Sequence, residues 1–252
     1  MKRIVSLAAL LLLSGASTFA QPARRPAANT FASDFQTIPV MGNVPGAGAV
    51  FQTYVAILNP TASSFPIEVT LYDTAGTKRK ATITMAPGEL KTYDNFLDAV
   101  FNYVGGGAVT FRSSDSAGGT RNNRFILNVE VRTTGTRFST SIPALEFAGT
   151  SSRSFIAGIT VSSETRTNLG CFNQSDSTNR IVATIRDSSG QQSLGTVELN
   201  LPPNAWGQAG VSQVVTNGYI QFDPADAAVC YAVVVDNSTA DGRFISAAEY
   251  KP

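Results

Sequence analysis

The sequence predicts an all-β chain built as two antiparallel β-sandwiches in tandem. Three observations carry this. Residues 51–111 and 165–222 repeat one another: Thr53-Tyr54-Val55-Ala56-Ile57-Leu58-Asn59 aligns with Thr167-Asn168-Leu169-Gly170-Cys171-Phe172-Asn173, and Thr70-Leu71-Tyr72-Asp73-Thr74-Ala75-Gly76 aligns with Thr184-Ile185-Arg186-Asp187-Ser188-Ser189-Gly190 at the same offset. A period this long is a whole small domain, not a solenoid turn. Short runs of Val, Ile, Thr and Phe alternate with polar residues, the period of a half-buried strand. Turn residues punctuate these runs roughly every 8–12 positions.

In chain order, residues 1–20 read as an export signal. Lys2 and Arg3 form a charged start, residues 4–13 an apolar run, and Thr18-Phe19-Ala20 a small-residue cleavage site before Gln21. No later stretch approaches the roughly 18 apolar residues of a membrane helix. The mature protein is therefore expected to be exported, periplasmic or extracellular. Residues 21–30 read as a flexible leader, 31–148 as module one, 149–152 as a polar linker and 153–252 as module two.

Within the repeat, Ile67, Val69 and Leu71 share one strand face, and Ile181, Ala183 and Ile185 hold the same phase. A one-residue slip would turn each of these outward, so shared phase implies shared register. Asp73 and Gly76, like Asp187 and Gly190, occupy the first and fourth positions of a turn, where Asp caps and Gly tolerates the exit geometry. Ile83 and Met85 lead into Ala86-Pro87-Gly88. Val197, Leu199 and Leu201 lead into Pro202-Pro203-Asn204, with two residues gained. Further on, Gly107-Ala108-Val109-Thr110-Phe111 aligns with Gly218-Tyr219-Ile220-Gln221-Phe222, and Leu127, Val129 and Val131 with Tyr231, Val233 and Val235. One short helix is expected around 94–101, a tight turn at Gly105-Gly106-Gly107, and a solvated hairpin tip at Lys78-Arg79-Lys80.

Thr165-Arg166-Thr167-Asn168-Leu169-Gly170, Asn173, the Asp-x-x-Gly turn, the Leu-Pro-Pro turn with Trp206, and Val234-Val235-Asp236-Asn237-Ser238-Thr239 resemble a bacterial family of secreted tandem immunoglobulin-like modules. In module one the Ile38-Pro39-Val40 opening and the strand from 51 to 60 also fit. The resemblance covers most of the mature chain and rests on turn and core residues, so it implies architecture and no shared catalytic residue. The chain departs from the family by placing Cys171 where an aliphatic residue is usual, and by having no partner domain.

Composition narrows the chemistry. There is no histidine, which removes Ser-His-Asp and Cys-His catalysis and histidine-ligated metal sites. Basic and acidic residues nearly balance, 19 against 18, so no field steers the chain toward nucleic acid or anionic membrane. No cofactor and no metal are expected. Cys171 and Cys230 lie in module two, and an even count in an exported chain suggests a bridge. Their early-strand and late-strand positions resemble the inter-sheet cysteines of an immunoglobulin domain. If Tyr231, Val233 and Val235 point inward, however, Cys230 points outward; one bridge and two free thiols both stay open. The remaining acid–base groups are carboxylates. Asp94, Asp98, Glu130 and Glu146 form no motif, and Asp73 and Asp187 read as turn caps. The loops at Asp223-Pro224-Ala225-Asp226 and from Asp236 to Gly242 are oxygen-rich but lack calcium-loop spacing. Asn173-Gln174-Ser175 and Asn237-Ser238-Thr239 match a glycosylation pattern.

Tyr93, Phe96, Phe101, Tyr103 and Trp206 are the candidate contact aromatics, for sugar or protein, with core filling as their alternative role. The expected function is therefore surface contact without catalysis: adhesion, envelope or matrix structure, or a scaffold. Its partner would be an unidentified protein or polysaccharide. The rival is a secreted hydrolase using two carboxylates across a cleft between the modules. A weaker third reading is a fibre subunit exchanging an edge strand.

Overall fold

Alternating apolar residues become antiparallel strands along most of the described residues. The computed structural model describes residues 32–46, 49–113, 123–136, 138–145, 153–223 and 227–250. The signal, the leader, Glu146 and the linker lie outside the described residues, as does the middle of the Asp223 loop.

The first half contains β1 (Phe35–Gly46), β2 (Ala49–Leu58), β3 (Phe65–Tyr72), β4 (Lys78–Met85), β5 (Leu90–Tyr93), α1 (Phe96–Phe101), β6 (Gly105–Ser113), β7 (Ile126–Thr133) and β8 (Ser139–Ser141). The second contains β9 (Ser154–Val161), β10 (Thr165–Asn173), β11 (Asn179–Arg186), β12 (Ser193–Leu201), β13 (Trp206–Gly210), β14 (Val215–Phe222), β15 (Ala228–Asp236), β16 (Gly242–Ser246) and β17 (Ala248–Glu249). The fold is all-β, with three antiparallel sheets among the described residues. One runs β4-β3-β6-β1-β2-β7-β8 with β5 also on β2; the others run β13-β10-β15-β16 and β12-β11-β14-β9-β17.

The same order of pairings occurs twice. β4-β3-β6-β1 corresponds to β12-β11-β14-β9, and β5-β2-β7-β8 to β13-β10-β15-β16. One ladder differs. Beyond a register shift between Ile38 and Met41, β1 continues past β6 and pairs with β2, which joins all the strands of the first half into one sheet. A bulge bends a strand and lets it serve two sheets. Each half has its own apolar cluster: Ile38, Ile57, Val69, Val109, Phe111 and Val129 contribute to the first, and Ile156, Leu169, Ile185, Ile220 and Ala232 to the second.

The turn chemistry is visible atom by atom. Asp73 accepts from the backbone N–H of Ala75 and Thr77 at 2.9 Å each, and Gly76 has φ +78°. Asp187 accepts from Ser189 Oγ at 2.8 Å, and Gly190 has φ +72°. Gly88 and Asn204 take the left-handed position after the two proline turns. Asn95 caps α1 by accepting from Asp98 N, and Asn102, at φ 47°, ends it.

Two expectations change. Lys78-Arg79-Lys80 opens β4 instead of forming a tip: Lys78 lies over Tyr72, Arg79 over Tyr103, and Lys80 pairs with Glu68. Gly105-Gly106-Gly107 belongs to β6, not to a turn. A β-carbon on Gly107 would lie 2.6 Å from the Tyr72 carbonyl oxygen, so close strand approach requires glycine there.

Asn59 and Asn173 are fully buried staples at corresponding places. Asn59 Nδ2 donates to the carbonyls of Ser63 and Ala86, and its Oδ1 accepts from Thr61. Asn173 Nδ2 donates to Ser177 and Pro202, and its Oδ1 accepts from Ser175. An amide spent in this way is no glycan acceptor, whatever its sequence pattern. Replacing Asn173 with Ala removes the amide donor to Ser177 and Pro202 and orphans the Ser175 backbone N–H. Urea denaturation should show a loss of about 2–3 kcal/mol.

Candidate binding groove between the halves

The strand β15 is apolar on both faces. Cys230 and Ala232 face the second-half cluster, while Tyr231, Val233 and Val235 face the first half of the chain. This corrects the sequence alignment by one residue. Ile57 faces Leu127 and Val55 faces Val129 across β2 and β7; Cys171 faces Cys230 and Leu169 faces Ala232 across β10 and β15. Leu127 and Val129 therefore correspond to Cys230 and Ala232. A strand buried on both sides reads as a continuous apolar run, and alternation cannot choose its phase.

Cys171 and Cys230 are bonded to each other. They are direct register partners on neighbouring strands of one sheet, where the sequence comparison placed them in facing sheets. Both side chains lie on the core face.

On the opposite face, Tyr231 is completely buried and lies across Gly170, its register partner. A β-carbon on Gly170 would fall 2.2 Å from the Tyr231 ring. The Tyr231 hydroxyl accepts from Trp206 Nε1 and donates to Gln208 Oε1, both at 3.0 Å. Burial pushes its pKa well above the ordinary phenol range, with the Trp206 hydrogen bond opposing. The phenol thus stays protonated, keeping its donor. Phe244 stacks on the ring at 5.1 Å and packs against the first-half cluster.

The halves meet at both ends of this face. At one end the Asp73–Gly76 turn abuts the Pro202–Ala205 turn. Trp206 N donates to Asp73 O at 3.1 Å, and Tyr72 packs on Phe172 at 4.9 Å. A β-carbon on Gly106 would lie 2.8 Å from the Trp206 ring. At the other end Thr140 Oγ1 donates to the Gly242 carbonyl at 2.8 Å.

Between them lies a groove of about 400 Å³. Its lining is mostly apolar, with Val40, Val44, Val131, Val233, Val235 and Trp206 prominent. The polar side chains in it include Arg166, Asn168 and Gln208, and one carboxylate, Asp241. No protein-family model and no curated protein matches the chain.

The sequence-predicted aromatics do not form a platform together. Phe96 is fully buried, with Tyr93 and Phe101 edge-on to it at 5.2 and 6.1 Å. Tyr103 is half-buried beneath Arg79. Trp206 alone of the five lines the groove. Among the carboxylates, Glu130 and Asp94 both pair with Arg132, at 3.1 and 3.6 Å, and are absent from the groove lining, as is the exposed Asp98. Arg166, Asn168 and Gln208 went unread because each is an ordinary polar position of a strand; the available signal was the doubly apolar β15 beside them.

The loop from Asp236 to Gly242 starts folded around the Asp236 side chain. Asp236 Oδ1 accepts from N and Oγ of Ser238 and from N and Oγ1 of Thr239. These bonds, led by the Ser238 hydroxyl, lower the Asp236 pKa to about 2. A depressed folded-state pKa contributes stability above the ordinary carboxylate range, and that contribution is lost as pH falls through about 2. Thermal midpoints followed down to this pH should show an acid-side decline that is smaller in Asp236→Asn.

Proposed function

We propose that the chain is an exported, non-catalytic protein of two tandem immunoglobulin-like β-sandwich modules, acting by surface contact in adhesion, envelope or matrix structure, or scaffolding. The observation that carries this reading is the repeated order of strand pairings, with the two halves packed against each other at two separate points. Duplication followed by docking makes a firm two-module body that presents extended surfaces. Two linked contact surfaces raise avidity when both engage one target. The Cys171–Cys230 bond fits an oxidising compartment. Among the described residues no helix is long and apolar enough to cross a membrane.

The test is retention. The purified chain, from residue 21 onward, is incubated with washed envelope, its polysaccharide and its protein fractions, and sedimented. Saturable retention by one fraction supports the reading. Failure with every fraction, at concentrations where the protein stays folded, counts against it.

A further inference from the structure

We propose that the groove between the halves binds a linear apolar molecule ending in a carboxylate, such as a long-chain fatty acid or the acyl chain of an acidic lipid fragment. This goes beyond surface contact and stands on different observations. A cavity of about 400 Å³ falls within the size range of small-ligand sites, which are mostly apolar with a few convergent polar groups.

The shape is elongated. Arg166 and Trp206 both line the groove, and Trp206 is the register partner of Phe172, six residues along β10 from Arg166. At strand rise that separation is about 20 Å. Val233 and Val235 lie beside Asn168 and Arg166 on β15, and Val40, Val44 and Val131 supply apolar surface from the other half. A straight hydrocarbon fits this track better than a compact ring.

The charge is at one end. Arg166 donates through Nη1 to Asn237 Oδ1 at 2.8 Å, a neutral acceptor that aims the guanidinium. Among the described residues no carboxylate lies within ion-pair distance of it, although Asp241 shares the lining. Asn168 sits two residues away on the same face of β10, its amide without a partner among the described residues. A guanidinium beside an amide matches a carboxylate, and charge-assisted hydrogen bonds are the strong ones. At the far end Trp206 is held by Tyr231, so its ring needs no ordering on binding.

Trp206 is also the only tryptophan in the chain, which makes it the reporter. The folded, disulfide-intact protein is titrated with octanoate, dodecanoate and hexadecanoate below micelle formation, following Trp206 emission and binding heat. The expected result is saturable one-to-one binding that tightens with chain length. Dodecanol and dodecyltrimethylammonium should bind about tenfold or more weakly than dodecanoate. Arg166→Gln should weaken dodecanoate about tenfold, Arg166→Lys should restore part of it, and neither should change dodecanol binding. Asn168→Asp, which sets a negative charge beside the proposed carboxylate, should weaken dodecanoate similarly and serves if an Arg166 variant misfolds. No saturable signal with any carboxylate overturns the proposal. So does equal affinity for the alcohol or the ammonium, or a folded Arg166→Gln that binds dodecanoate unchanged. Such a failure leaves the envelope-retention result untouched, so the two readings are separable.

Discussion

Gly170→Ala should cost about 4 kcal/mol of stability and disturb the groove face together with the fold. The added β-carbon would sit 2.2 Å from Cζ and the hydroxyl oxygen of Tyr231. That ring has no exposed surface and is stacked on Phe244, so it has no empty space to move into. Overpacking a well-filled site costs typically 1–3 kcal/mol. Displacing the phenol adds the loss of two buried hydrogen bonds, one from Trp206 and one to Gln208, at roughly 1 kcal/mol or more each. Urea denaturation measures the total. Trp206 emission separates the parts: its indole N–H loses its acceptor, so the folded-state spectrum should shift. Tyr231→Phe is the companion variant. It keeps the ring over Gly170, removes only the hydroxyl, and should cost about 1–2 kcal/mol with the same direction of spectral change. A Gly170→Ala protein as stable as wild type would mean that the ring passes β10 by another route.

Local features were legible from sequence because local chemistry decides them. Asp73 and Gly76, Asp187 and Gly190 form the turns that their spacing demands, since an Asp side chain satisfies donors of the turn two to five residues on and glycine accepts a positive φ. The phase of Ile67, Val69 and Leu71 holds because β3 has one buried and one more exposed face. The short helix is displaced only to Phe96–Phe101, where Asn95 supplies the cap. The features that failed are those set by a second surface. β15 packs on its own core and on the other half of the chain, so its pattern Ala228-Val229-Cys230-Tyr231-Ala232-Val233-Val234-Val235 has no polar face to fix the phase. The misplaced phase turned Cys230 outward and left its pairing with Cys171 open, whereas the two are register partners. The glycines of β6 carried a readable hint, because glycine inside a strand marks close approach; Gly106 leaves room for Trp206, a residue exactly one hundred positions later. Arg166 and Asn168 had no local signature at all, since a groove assembled from both halves exists only after they dock.

Replacing both cysteines with alanine should cost about 4 kcal/mol. On the chain-entropy model, a bridge spanning 59 positions removes about that much freedom from the denatured chain. The native strand pairing is kept, because β10 and β15 still pair over their whole length from Thr165↔Asp236 to Asn173↔Ala228. The denatured state should also expand, so the urea m-value should rise as the midpoint falls. The first half supplies a control for packing. There the corresponding pair is Ile57 opposite Leu127, buried and unbridged. Cys171→Ile/Cys230→Leu copies that solution and adds apolar volume where alanine leaves a gap. If the site accepts the bulk, this variant should recover about 1–2 kcal/mol relative to the double alanine while keeping the raised m-value. The two readouts divide the bond's contribution: recovery in free energy reports packing on the core face, and the unrecovered m-value reports the constraint on the unfolded chain. An unchanged m-value in both variants, with stability lost only in the alanine pair, would assign the effect to packing and leave the bridge no entropic role.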